Sequence, residues 1–437
     1  MAQDRQWDPQ RNRLSRRDVL RLGGAAAAGT FLGTLGATPA STAPQVTLKW
    51  ISVERGEPRN SGMRKSVEVF QKNTPNAKVD LELVPFDQYF QKIAIALSSG
   101  SGIDVFDVDS PLVTSYAVQD ALLPLDEYID KSDWQDFVPV ERTTATVQGK
   151  IMSVPWSSSE QGLYYNVEML NAAGIKPASG VGDRWTWEKT LEVARKLTRT
   201  AADGSTAVWG LTIEQVDRPY QILPLLESNG ALPISQDGRR VSDVLNSPQA
   251  VEAVRFYGDL FNKWKVSPKK QLQDAFGNKQ AALYLANTPW VNILRTRFPD
   301  LKFGVMPHPY FKKPVTPTGA WHLGVFRKTA HPKEAAELAK TFGGRELADT
   351  VFKTMNYMPV RTSTFARFAS DFKAPPWNLF LFELKNTAVR RPATPAYREY
   401  EDILRTALRN VMEGGDAKAE LDAAAQKTDR ELAKYTK

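Results

Sequence analysis

The chain has 437 residues, 24% charged and 42% hydrophobic, which suits about two or three soluble globular domains with substantial cores. Of its formal charge of +8, the first 43 residues hold six arginines and three aspartates, a net of +3, so +5 is spread over the rest. With no zinc finger, RGG run or basic-aromatic stripe, nucleic-acid binding is disfavoured. Cysteine is absent, which excludes disulfides, thiolate metal sites, a cysteine nucleophile and a lipidated cysteine. The histidines are His308, His322 and His331, without an H-E-x-x-H pair, and this speaks against a zinc hydrolase.

In chain order, a basic polar region ends at Arg21, a Gly/Ala run covers 22–37 and small residues follow to Ala43. That is the order of a secretory signal, and the run is too short and too weakly apolar for a membrane span. Ser15-Arg16-Arg17-Asp18-Val19-Leu20-Arg21 resembles the twin-arginine export motif, an Arg-rich general secretory signal being the plainer alternative. Cleavage after Ala37, Ala40 or Ala43 would release a periplasmic protein without a lipid anchor.

Val46 to Val53 alternates and is β-branched, predicting a strand. Met63, Val67 and Phe70 predict a helix, and Lys78 to Pro85 a second strand. Phe86, Tyr89, Phe90, Ile93 and Leu97 predict another helix, stopped at Ser98-Ser99-Gly100. Asp104 to Val108 reads as a buried strand, and Ser110 as the cap of a helix with Pro111 at its first position. SSGSG lacks the Lys-Ser/Thr of a phosphate-cradling loop. The alternation recurs beyond Ile151: a helical stripe at Trp187, Leu191, Ala194 and Leu197, a strand over 207–213, a helix over 251–264, and a C-terminal helix with Leu421, Ala425 and Leu432 on one face. Two α/β lobes with parallel pairing are expected.

In open α/β sheets ligands bind beyond the carboxyl ends of the strands. This rule selects Ser52, Glu54 and Arg55, then Asp109 and Ser110, then Trp156, Ser157 and Ser158 after MSVP. Trp185, Trp187 and Trp209 read as core.

Several segments, in this order and spacing, resemble one family: ALSSGSGIDVFDVDS (96–110), DALLPLDEYI (120–129), GKIMSVPWSSSEQGLYYNVEMLNAAGI (149–175), QAALYLANTPW (280–290), FGVMPHP (303–309), GAWHLGVFRKTAHPKEAAELAKTF (319–342), YMPVRTSTF (357–365) and RRPATPAY (390–397). The chain is similar from Val46 onward to extracellular solute-binding proteins of ABC importers, in the group that binds maltose, trehalose or glycerol phosphate. The resemblance implies a type II-like periplasmic-binding-protein fold, with crossings near 157–161, 317–319 and 357–360. It divides the chain into an export segment (1–43), one lobe of 44–158 with 319–356, and a second of 159–318 with 357–437. It adds Trp290, the turn of Gly319 and Trp321, Tyr357, Arg361 and one of Arg390 and Arg391, with Arg391 preferred, to the ligand residues. The implied protein is a monomeric receptor without cofactor or catalysis. It would capture a sugar or polyol and pass it to a membrane permease. Two alternatives stand beside it: a receptor for a glycerophosphodiester or other organic anion, and a glycoside hydrolase drawing on Glu54, Asp107, Asp109 and Glu160.

Overall fold

The computed structural model describes residues 45–272 and 274–435; the expected export segment lies outside them. Strands β1 (Val46–Glu54), β2 (Ala77–Pro85) and β3 (Val105–Asp109) form a parallel group with β1 at its centre. Helices Arg59–Asn73 and Phe86–Ser99 make the crossovers. Each side-chain period matches its element. Met63 and Phe70 on one helix and Tyr89 and Ile93 on the next are buried against Trp50, Val53 and Val108. Gly100 closes the second helix in the left-handed conformation (φ 70°), which glycine adopts without steric cost.

A short hairpin of β4 (Thr146–Val147) and β5 (Lys150–Ile151) leads to the long β6 (Val154–Asn166). Then come β7 (Arg199–Thr200), β8 (Thr206–Ile213), β9 (Ala281–Asn287), β10 (Phe303–Met306), β11 (Thr316–Val325) and β12 (Ala388–Val389). The sheet runs β2-β1-β3-β11-β6-β9-β8-β7, with β10 on β6 and β12 on β11. The expected parallel pairing holds for β1 to β3, for β8 with β9 and for β11 with β12, but β6 lies antiparallel to β9, β10 and β11, and β11 antiparallel to β3. Both run from one lobe to the other, so they enter each half of the sheet against its grain. From Val154 to Glu160 β6 pairs with β11; from Gln161 it pairs with β9 and β10. Met358 makes an isolated bridge to Ser158 beside this changeover. The lobe built on β1–β3 and the lobe built on β8–β10 thus share one curled sheet.

The helix expected over 251–264 spans Pro248–Asn262, because Ser247 accepts a hydrogen bond from the Ala250 amide and Pro248 occupies the first position. Ser110 does not cap the helix Leu112–Val118, whose start has no side-chain cap. Its amide donates instead to the Ala320 carbonyl at 3.0 Å, tying β3 to β11.

Gly210 of β8 faces helix Trp187–Leu197 with no room for a side chain: a Cβ there would lie 1.9 Å from the Ala194 carbonyl oxygen. Gly210→Ala must push helix and strand apart, and is expected to cost about 1–3 kcal/mol of stability, read as a lower urea midpoint at unchanged slope.

Candidate functional site

Because β1, β2 and β3 are parallel, their carboxyl ends finish at one edge, and Glu54 lies in register with Pro85. The residues just beyond, Glu54, Arg55 and Phe86, form one wall of a cleft of about 730 Å³. The opposite wall comes from the ends of β8 and β9: Glu214, Gln215, Asp217 and Arg218, then Asn287 and Trp290. The crossing segment at Asn356 and Tyr357 contributes as well. Deeper in, the cleft narrows to a recess lined by Asp109, Ser159, Tyr220, Gly319, Trp321 and Arg391. A volume of this size suits a small ligand of one to a few rings.

Across the recess, Arg391 meets Asp109 through two hydrogen bonds, one of them Nη1 to Oδ2 at 2.9 Å. The Ser110 hydroxyl stands 3.4 Å from the same guanidinium. Burial alone would lower the pKa of Arg391, but the Asp109 charge and hydrogen bonds, with Tyr397 and Glu401 nearby, together outweigh it and hold the guanidinium protonated. Arg391 follows β12, which pairs with the start of β11, whereas Asp109 ends β3. The pair therefore ties a segment after β12 to the opposite wall. Arg390, its neighbour, is exposed.

Aromatic faces supply the apolar part of the walls. Trp321 stands opposite Asp109 in the β3–β11 register, packs edge-on against Tyr89, and has the Arg55 guanidinium 5.6 Å from its ring centre. Trp290 opens helix Trp290–Arg297 and hydrogen-bonds Glu214, which also accepts from the Asn287 amide at 3.1 Å. Burial raises the Glu214 carboxyl above the ordinary range despite these donors. At the inner end the backbone is bare: a Cβ on Gly319 would lie 2.9 Å from Ser159 Oγ and 3.1 Å from the Tyr220 hydroxyl.

Of the residues expected from the sequence, Glu54, Arg55, Asp109, Trp290, Gly319, Trp321, Tyr357 and Arg391 line this one cleft, with Ser110 behind Arg391. Trp156, Ser158 and Arg361 are placed elsewhere. Trp156 is 1% exposed, wedged edge-on between Phe342 and Tyr357, so it backs the wall. The Ser158 hydroxyl is spent on Glu160 and Thr318 at the changeover point of β6. Arg361 donates to both oxygens of Asp133 at 2.9 and 3.0 Å and lies 3.9 Å over the Phe137 ring, an internal ion pair. Trp185 and Trp187 are core, and Trp209 is half-buried. Phe86, Gln215, Arg218, Tyr220 and Asn287 were not singled out, although the strand-end rule, carried to 78–85, 207–213 and β9, reaches most of them.

A cleft between two α/β lobes, walled by strand ends from both and bridged by a sheet the lobes share, defines a two-lobed solute-binding protein. The chain belongs to the bacterial extracellular solute-binding protein family, whose sequence profile matches residues 56–347. A Brucella abortus protein described only as a binding protein is 23% identical over 384 residues, covering 84% of this chain and 89% of its own. Among solved structures, an ABC substrate-binding protein of Listeria monocytogenes in complex with cycloalternan superposes with TM-score 0.78 and 21% identity, over 89% of this chain and 99% of that one. An ABC transporter solute-binding protein of Thermotoga lettingae bound with α-D-tagatose gives 0.77 and 22%, over 89% and 100%.

Proposed function

We propose that this protein is the periplasmic receptor of an ABC importer, capturing a sugar or sugar-like polyol between its lobes and presenting the closed form to the membrane permease. The observation that carries the reading is the single cleft in which Trp290, Trp321 and Tyr357 meet Glu54, Asp109 and Arg391 from opposing walls. Flat rings cover the C–H faces of a sugar while carboxylates and guanidinium forks engage its hydroxyls. Closure needs contacts made better in the closed form, and walls contributed by both lobes provide them. Sugars bound to the Listeria and Thermotoga proteins of like fold agree.

On this reading the lobes comprise 44–158 with 319–356 and 159–318 with 357–437, moving about crossings at β6, β11 and 357–360. The segment 1–43 is an export signal for the twin-arginine machinery, leaving a monomer free of any lipid anchor. Among the described residues no helix is long and apolar enough to cross a membrane. The receptor performs no chemistry on its ligand. Of the acids that a hydrolase could have used, Asp107 is consumed by Arg59 and Glu160 is sealed at the changeover in β6, 1% and 0% exposed.

A thermal-shift screen of the full-length chain against sugars and polyols is expected to give a stabilising ligand that is recovered chemically intact. Trp321→Ala is expected to weaken that ligand about 10- to 100-fold by calorimetry and, because Trp321 is buried against Tyr89, to lower stability by about 3 kcal/mol as well. Turnover of the ligand, or unchanged affinity in the variant, would contradict the reading.

A further inference from the structure

Most arginines around the cleft are already neutralised: Arg59 by Asp107 at 2.8 Å, Arg297 by Asp274 at 2.8 Å, Arg405 by Asp217 at 2.9 Å, and Arg391 by Asp109. Arg55 and Arg218 differ, since neither forms an ion pair among the described residues. One follows β1 and the other β8, yet their guanidinium carbons lie 4.3 and 5.5 Å from the centre of one ring, that of Phe86. They are like charges brought together from opposite walls. Burial, then the nearby Arg405 charge, lowers the pKa of Arg218, so its charged form is held at a cost. Carboxylates do act on the two groups, but they have other partners: Glu401, which acts most on Arg218, faces Arg398 at 3.7 Å. Glu214 is occupied by Trp290 and the Asn287 amide, and Asp217 by Arg405 and Arg409. Glu54 accepts from Asn60, and Asp87 is exposed at the mouth.

We propose that the ligand carries an anionic group, a carboxylate or a phosphate ester on a sugar or polyol, and that closure clamps this group between Arg55 and Arg218. The inference rests on the receptor reading above and narrows its ligand class. A neutral sugar would leave two cations facing each other in a closing cleft. An anion compensates both, accepts hydrogen bonds from both forks, and gives each lobe a reason to approach the other.

The test titrates the full-length chain with matched probes: glucose, glucuronate and glucose 6-phosphate, and galactobiose with digalacturonate. At least one acidic probe is expected to bind 10-fold or more tightly than its neutral parent, with the advantage shrinking as salt rises. Whether the uronates or the phosphate ester take that advantage separates the two sources of charge. Arg55→Gln and Arg218→Gln are each expected to cut acidic-probe affinity about 10- to 100-fold and that of the neutral parent less than 3-fold. Arg55 is exposed, so its variant folds irrespective of Arg218. Neutral probes that bind as tightly as acidic ones, with both variants indifferent, would overturn the proposal and leave the receptor standing. A wider panel of neutral and acidic sugars with no binder at all would overturn the receptor reading itself.

Discussion

Arg59→Met is expected to lower the free energy of unfolding by about 3–5 kcal/mol, the cost of leaving a buried charge without its partner. Asp107, on the central face of β3, is 1% exposed. It accepts from Ser52 Oγ at 2.7 Å, the Val53 amide at 3.1 Å, Trp50 Nε1 at 3.3 Å and Arg59 Nη2 at 2.8 Å. Three neutral donors orient the carboxylate, and among the described residues Arg59 alone forms an ion pair with it. The same guanidinium donates to the Val53 carbonyl and lies 5.5 Å over the Trp156 ring, so the substitution also loosens the end of β1. Urea unfolding followed by tryptophan fluorescence measures the loss, and a change below about 1 kcal/mol would show that the pair contributes little. Because β1 ends at Glu54 and leads into Arg55, ligand affinity should fall with stability.

The second large effect concerns pH. Glu160 lies where β6 changes lobes, its Oε1 accepting from Ser158 at 2.8 Å and Thr318 at 3.2 Å. Burial, reinforced by the nearby Glu141 carboxylate, pushes its pKa up to about 8. Between the ordinary carboxyl range and about pH 8 the folded protein therefore keeps a proton that the unfolded chain has released. Stability from this group is greatest at acidic pH and falls as pH rises through that window, by up to a few kcal/mol. Glu160→Gln keeps the shape of the protonated acid and cannot ionise. Urea midpoints at pH 5, 6.5 and 8 should decline less steeply in the variant than in the wild type. Glu214, Glu227 and Glu401, also raised by burial, maintain the remaining slope. Parallel declines in the two proteins would assign the pH dependence to those groups instead.

Much of the architecture could be read from the sequence because local periodicity and strand ends obey local rules. The alternation around Trp50 and the stripe at Met63 and Phe70 predict β1 and its helix. The carboxyl-end rule then leads to Glu54, Arg55 and Asp109 without knowledge of tertiary contacts. What escaped was decided at long range. Arg361 looks like any isolated arginine in sequence, and its partners Asp133 and Asp136 lie more than two hundred residues earlier. Trp156 stands beside a predicted turn, as a ligand platform would, but Phe342 arrives from the far end of the chain to bury it. Ser110 had the composition of a cap, but its hydroxyl faces the Arg391 guanidinium, 281 residues later, instead of the helix amides. The antiparallel placement of β11 between β3 and β6 leaves no trace in its own residues.

That placement governs how the molecule can be made. β3 has β1 on one side and β11 on the other, and residues 316–325 reach both β3 and β6. Until about three quarters of the chain has been synthesised, β3 and the first half of β6 are open edges, able to pair with a neighbouring nascent chain. The two lobes are separate as binding surfaces but one unit as a folding problem, because the sheet of each is completed by strands they share. Those edges close when β11 takes its place between β3 and β6.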